Sequence, residues 1–409
     1  MWPRQLLGGP FARAMVTNFL FFGCLNGFVL LPLYIQQLGG TEAQIGLVQG
    51  MYSAAGIVCQ PVIGLYVDRL GRRLFMLIGA ALLTGASALF VVSASIPLFA
   101  ALRMLHGVAF STFFVANYIH VVELVPPERR GWALGIYGLA GLLSTALAPL
   151  VAEFIIRQLG FPAAFFFSAL LAAGALGILL KSRDARPPAP GAGPGPEALA
   201  EMVRELRRLH NGLAFFFGLG TGTVFTFLPT FAEQLGVRGL GLFYTAYAGA
   251  AMAVRVAGGT LIDDRGRRAV IVPSMFVQTC ATGILAALAI LVTPTLAVPV
   301  LPFLFLAGLL AGGAHGFLYP ALSALLMDVT PERRRGSAVG IFSSVFLVGN
   351  AIGAIVFGYV AHRLGYAPMW GMLVALLTGG FAWSLKLPAV VPRRIAALPP
   401  HRATPEESG

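Results

Sequence analysis

The sequence predicts an all-α integral membrane protein with twelve transmembrane helices in two related six-helix bundles. Three observations carry this. First, 57% of the 409 residues are hydrophobic and only 11% are charged, under half the charge of a soluble domain. Second, apolar runs of about twenty residues, the length of a bilayer-crossing helix, recur along nearly the whole chain. Third, Gly64-Leu65-Tyr66-Val67-Asp68-Arg69-Leu70-Gly71-Arg72-Arg73 returns 195 positions later as Gly259-Thr260-Leu261-Ile262-Asp263-Asp264-Arg265-Gly266-Arg267-Arg268. Both copies fit G-x-x-x-D-x-x-G-R-R and sit where one apolar run ends and the next begins.

In order, the runs lie at about 11–34, 43–66, 75–93, 97–122, 132–155 and 163–180. A second set follows at about 211–232, 240–262, 270–292, 297–327, 338–361 and 367–387. The first run is too long for a signal-peptide core and no small-residue cleavage site follows it, so it is expected to be retained. Residues 187–196 are only Pro, Ala and Gly and can neither form a helix nor pack a core. A short helix is expected at about 197–210, with Leu199, Met202, Val203, Leu206 and Leu209 on one stripe. It suits either the membrane surface or a bundle face. The expected division is 1–183 and 211–390 as the bundles, 184–210 as the linker and 391–409 as the tail.

The duplication extends beyond the turns. Leu31–Gly39 matches Leu228–Gly236 and Arg130–Ile136 matches Arg335–Ile341, the offset moving from 197 to 195 to 205 with the indels at turns. Parallel repeats of this kind are related by a pseudo-two-fold axis along the membrane normal, leave a cavity between the halves and build secondary transporters.

The net charge of +12 could point to nucleic acid, but its distribution does not. About 23 basic residues fall at the termini, the linker and alternate turns; the intervening turns hold only Arg157, Arg238 and Arg363. Positive residues stay cytoplasmic, so both termini and the linker are expected there, in a multi-pass plasma-membrane protein. Cys24, Cys59 and Cys280 all lie within apolar runs, as packing residues do. No CxxC, HExxH or phosphate-binding GKS/T loop occurs. An enzyme, a cofactor and a metal site are therefore not expected.

The chain resembles the major facilitator superfamily from about residue 11 to 387. The repeated Gly64–Arg73 loop carries the resemblance most strongly. Arg103-Met104-Leu105-His106-Gly107 is similar to that family's R-x-x-x-G on helix 4, and Pro126–Gly131 to its helix 4–5 turn. Within the family the pattern is most similar to bacterial small-molecule efflux permeases of the drug and arabinose-efflux type. The resemblance implies a bacterial inner-membrane transporter, a monomer, working by alternating access. It also implies a conformational latch: Asp68, Arg72 and Glu123 interact, and Asp68 faces the N-terminus of helix 11. Asp263, Arg267 and Asp328 hold the equivalent places, facing helix 5. A carboxylate at a helix N-terminus is favourable in its own right, and Gly71 and Gly266 permit the tight turn. Gly64 opens the motif. Plain topogenic turns would explain the arginines but not the matched aspartates.

Polar residues within the spans are few, and each is by default a functional candidate. Arg103, His106 and Asn117 fall on one face of helix 4, with His120 further round; Arg103 either meets an anionic solute or braces neighbouring helices. Gln49 and Tyr52 on helix 2 recur as Tyr244 and Tyr247 on helix 8, suggesting matched walls of a pathway or interhelical hydrogen bonds. Asn26 and Thr223 hold equivalent places on helices 1 and 7. His315 and Tyr319 neighbour one another on helix 10, and Asn350 is mid-helix 11. Helix 1 has no mid-membrane carboxylate, and Ala148-Pro149-Leu150-Val151-Ala152 departs from the family's antiporter G-P-x-x-G. If protons are coupled, His106, His120 and His315 are the candidate carriers. The expectation is gradient-driven efflux of a small organic solute. A proton-coupled importer or uniporter of a sugar or organic acid is the alternative, and a non-transporting receptor the remote one.

Overall fold

The computed structural model describes residues 9–126, 130–182, 209–237, 239–258, 261–292, 299–329 and 335–388, which are helical apart from short turns and contain no strand. The linker helix and the tail lie outside the described residues. The first half contains α1 (Pro10–Gln37), α2 (Glu42–Leu70), α3 (Arg72–Val92), α4 (Ile96–Glu123), α5 (Arg130–Leu159) and α6 (Phe161–Leu180). The second contains α7 (Leu209–Gln234), α8 (Gly241–Ala257), α9 (Arg267–Leu291), α10 (Val300–Val329), α11 (Arg335–Leu364) and α12 (Tyr366–Ser384), with one extra turn at Leu261–Asp264. Nine helices among the described residues are long and apolar enough to cross a membrane.

Local chemistry sets the ends. Several helices extend beyond their apolar runs: α3, α5, α9 and α11 all begin on arginine. α1 tightens to a 3-10 turn at Phe28–Leu30, ahead of Pro32, which brings no N–H to the helix ladder. α2 opens with a capping box in which Thr41 and Gln44 each bond the other's backbone N–H, satisfying two donors that a helix start otherwise leaves open. Gly71 and Gly266 take φ of 90° and 83°, a region L side chains avoid. They reverse the chain between α2 and α3 and before α9 at what is here termed the basic-turn end.

Within the first half, α1 packs on α5 and α6, α3 on α4 and α6, and α2 on α4. The second half repeats this with α7 on α11, α9 on α10 and α12, and α8 on α10. The repeat reaches single atoms. A Cβ on Gly107 would meet the Tyr52 carbonyl at 2.1 Å, and one on Gly312 would meet the Tyr247 carbonyl at 1.9 Å. The main contacts between halves are α2 with α11 and α5 with α8. Large apolar side chains such as Val58, Val92, Phe154 and Val256 are exposed on the outside, an apolar girdle that water would disfavour and lipid accepts.

Candidate functional site

Small residues bring the halves together. A Cβ on Gly46 of α2 would come 2.3 Å from the Ala354 carbonyl of α11, so only glycine allows that approach. Further along, the Ser53 hydroxyl donates to Asn350 Oδ1 at 2.9 Å, and the Ser344 hydroxyl to the Ile57 carbonyl at 3.4 Å. On the second seam Thr245 of α8 donates to the Ala146 carbonyl of α5 at 3.0 Å. Arg255 lies against Gly138, where a Cβ would be 2.4 Å from its Nη1.

At the end opposite the basic turns, a carboxylate holds the halves together. α8 starts without a side-chain cap of its own, unlike α2. Glu153 of α5 serves it from the other half: Oε1 accepts from the Gly239 and Leu240 N–H groups at 3.0 and 3.2 Å, and Oε2 from Gly241 at 2.7 Å. Arg157, one turn on, pairs with the same carboxylate at 2.6 Å. A carboxylate is strongly favoured where open N–H groups and the positive end of the helix dipole converge. At this end too, α1 meets α7 chiefly through Phe28–Gln37, and His362 of α11 reaches Glu42 of α2 at 3.5 Å. Glu153 carried no role in the reading of the sequence. Its signals were the i,i+4 partner Arg157 and the absence of a capping residue before Gly241.

At the basic-turn end, Arg72 pairs with Glu123 at 2.8 Å with both side chains about nine-tenths buried (9% and 10% exposed), and Arg267 with Asp328 at 3.0 Å, more exposed at 19% and 50%. Both pairs join adjacent helices of one half. The side chains of Asp68 and Asp263 lie outside the described residues. Gly64 is exposed on α2, with nothing near a Cβ placed there.

The intramembrane candidates divide by the direction they face. Arg103 donates to Gln49 Oε1 and lies 5.0 Å from the Tyr52 ring centroid, so these three join α4 to α2 inside the first half. Tyr247 and His315, ring centroids 5.5 Å apart, join α8 to α10 inside the second half, with Tyr244 packed on Phe225 and Phe243. The matched stripes therefore turn into their own halves instead of facing each other. His106 is fully buried between Phe28 and Phe90, with Nε2 3.1 Å from the Ser87 hydroxyl. This is a packing position, off the expected pathway face, because helix 4 is wrapped on that side by α1 and α3. Asn117 donates to Asn18 at 3.4 Å, and both it and His120 line a cavity within the first half. Tyr319 packs on Phe342.

Asn26 and Thr223 make equivalent ties. Asn26 of α1 donates to Ser144 and Thr145 of α5, at 3.0 and 3.2 Å. Thr223 of α7 donates to the Gly353 carbonyl of α11 at 3.1 Å. Among the pathway candidates, Asn350 alone bonds across the two halves among the described residues. Its partner Ser53, and Thr245 on the other seam, were missed because a lone hydroxyl in an apolar helix usually bonds its own i−4 carbonyl. Among the described residues no group of three His, Cys, Asp or Glu could hold a metal ion.

The sequence profile described as Major Facilitator Superfamily matches residues 13–301 and, overlapping, 212–406. The staphylopine export protein of Staphylococcus aureus is 24% identical over 391 residues, covering 90% of this chain and 94% of that one. The multidrug resistance protein MdtG of Serratia proteamaculans is 25% identical over 387 residues, covering 86% and 87%. The fold is similar to that of the nucleoside transporter NupG (TM-score 0.75, 14% identity, covering 92% of this chain and 98% of that one). It is also similar to the human organic anion transporter MFSD10 (TM-score 0.68, 19% identity, covering 92% and 100%).

Proposed function

Because the chain belongs to the Major Facilitator Superfamily, we propose that it carries a small organic solute outward by alternating access to one central passage. It is a multi-pass membrane transporter and not an enzyme. In the proposed arrangement twelve spans form two bundles, 1–183 and 211–390, about a pseudo-two-fold axis. The linker 184–210, the tail 391–409 and both termini are cytoplasmic, and the protein acts as a monomer in the bacterial inner membrane. The basic turns then mark the cytoplasmic end.

One observation carries this reading: the halves are clasped by Glu153 on the N-terminus of α8 at the end opposite the basic turns. Such a clasp belongs to a state closed outside and accessible from the cytoplasm. Asp68 and Asp263 would take over at the cytoplasmic end in the other state. The outward direction is supported by relatives named for export and multidrug resistance. Gradient energy is expected, with His120 and His315 the remaining candidate carriers if protons drive it.

The test is reconstitution. Solutes that raise the unfolding temperature of the purified protein are carried into counterflow in proteoliposomes and into uptake by inside-out membrane vesicles. Exchange of a stabilising solute and its accumulation in inside-out vesicles are expected. Tight binding without exchange would replace the transporter by a receptor; accumulation only in right-side-out vesicles would make it an importer. Cysteine labelling sets the orientation: Gln37→Cys should react from outside and Ala192→Cys should not.

A further inference from the structure

Where the second half has an apolar core, the first has a polar hollow. A cavity of about 370 Å³ lies between α1, α3, α4 and α6 at the basic-turn end, room for about a dozen waters. Its polar lining is Arg13, Thr17, Asn117, His120, Lys181 and Ser182, with no carboxylate. Thr17, Asn117 and His120 are deeply buried at 1%, 1% and 6% exposure, whereas Arg13 and Lys181 are exposed at the rim. Glu123, one turn beyond Ile119, is engaged by Arg72.

The internal repeat supplies a control. By the offsets of 197 for the first helix of each half and 205 for the fourth and sixth, Thr17, Asn117, His120 and Ser182 correspond to Ala214, Leu322, Leu325 and Leu387. All four of those belong to one buried apolar cluster with Phe217 and Met275. Leucine and alanine therefore satisfy this place in the second half. Thr17 and Ser182 bond the Arg13 and Leu179 carbonyls and Asn117 bonds Asn18, and by the same offset Lys181 corresponds to Lys386; what sets the first half apart is the polar-lined hollow itself, with Arg13 and Lys181 at its rim. Basic pockets between transmembrane helices at the cytoplasmic side are suited to anionic headgroups.

We propose that this cavity binds a phosphate-type oxyanion, with Arg13 and Lys181 supplying the charge and Asn117 and His120 forming the polar base. The shared chemistry fits an anionic phospholipid headgroup or free phosphate. This binding is independent of which solute the central passage carries.

The experiment is thermal unfolding of the full-length protein in detergent with phosphatidylglycerol, phosphatidylcholine or inorganic phosphate. A ligand that binds only the folded protein raises the midpoint by mass action. A clear rise with phosphatidylglycerol over phosphatidylcholine identifies the headgroup; a rise with phosphate alone identifies the free anion. Either rise should vanish in Arg13→Gln/Lys181→Gln and persist in Arg13→Lys/Lys181→Arg. Asn117→Leu/His120→Leu, which copies the second half, should also abolish the response while keeping or raising the basal midpoint, and it provides the test if the first variant does not fold. Equal rises with both lipids and none with phosphate, or a response undiminished in both neutral variants, would overturn the proposal.

Discussion

Glu153 Oε2 of α5 accepts a 2.7 Å hydrogen bond from the backbone N–H of Gly241, the first residue of α8 in the other half. With the Gly239 and Leu240 N–H groups on the other oxygen, the carboxylate replaces the cap that α8 lacks. Its side chain is only 15% exposed. Glu153→Gln removes the charge and turns one acceptor into a donor facing an N–H. The expected loss is about 1.5–3 kcal/mol, that of a hydrogen bond to a charged group, and a shift toward opening at this end. Spin labels at the exposed Gln37 and Gln234 should move apart; an unchanged distance distribution would show that Glu153 does not hold the closure.

The seam between α2 and α11 should be steric in origin. Gly46→Leu places a side chain where even a Cβ is 2.3 Å from the Ala354 carbonyl. The same label pair should again separate, and transport should fall while the protein remains inserted. Wild-type distances would mean that the helices can slide past the obstruction.

The two ion pairs at the basic-turn end should differ in weight. Arg72–Glu123 is about nine-tenths buried and Arg267–Asp328 is considerably more exposed. Glu123→Gln is expected to cost about 1–3 kcal/mol and Asp328→Asn below about 1 kcal/mol. Thermal midpoints of the two variants decide it; equal losses would remove burial as the explanation.

Arg103 is expected to brace α4 on α2. Arg103→Ala leaves Gln49, itself 7% exposed, without its donor, at a cost of about 1–3 kcal/mol. Stability should fall with counterflow per folded molecule retained, and Arg103→Ala with Gln49→Ala should show coupling of about 0.5–3 kcal/mol. Loss of counterflow at wild-type stability would return Arg103 to the solute pathway.

By itself the sequence determined the helices and the internal repeat, and located the helix ends to within a few residues. Apolar length, arginine placement and the Gly64–Arg73 duplication are one-dimensional signals, and the bilayer leaves helix as the only conformation that satisfies such backbones internally. The resemblance to the family implied the pairing of Arg72 with Glu123 and, at the equivalent places, of Arg267 with Asp328, and the structure holds both pairs. Tertiary structure decided which way each polar side chain faces. Arg103 meets Gln49 within one half and His106 packs between Phe28 and Phe90, because the rotation of a helix about its axis is set by its neighbours, and helix 4 is polar on more than one side. Only tertiary structure joined Glu153 to Gly241, 88 residues apart, and opened the polar hollow at Asn117 and His120 where Leu322 and Leu325 close it in the second half. Both depend on the packing of helices distant in sequence, which no local pattern encodes.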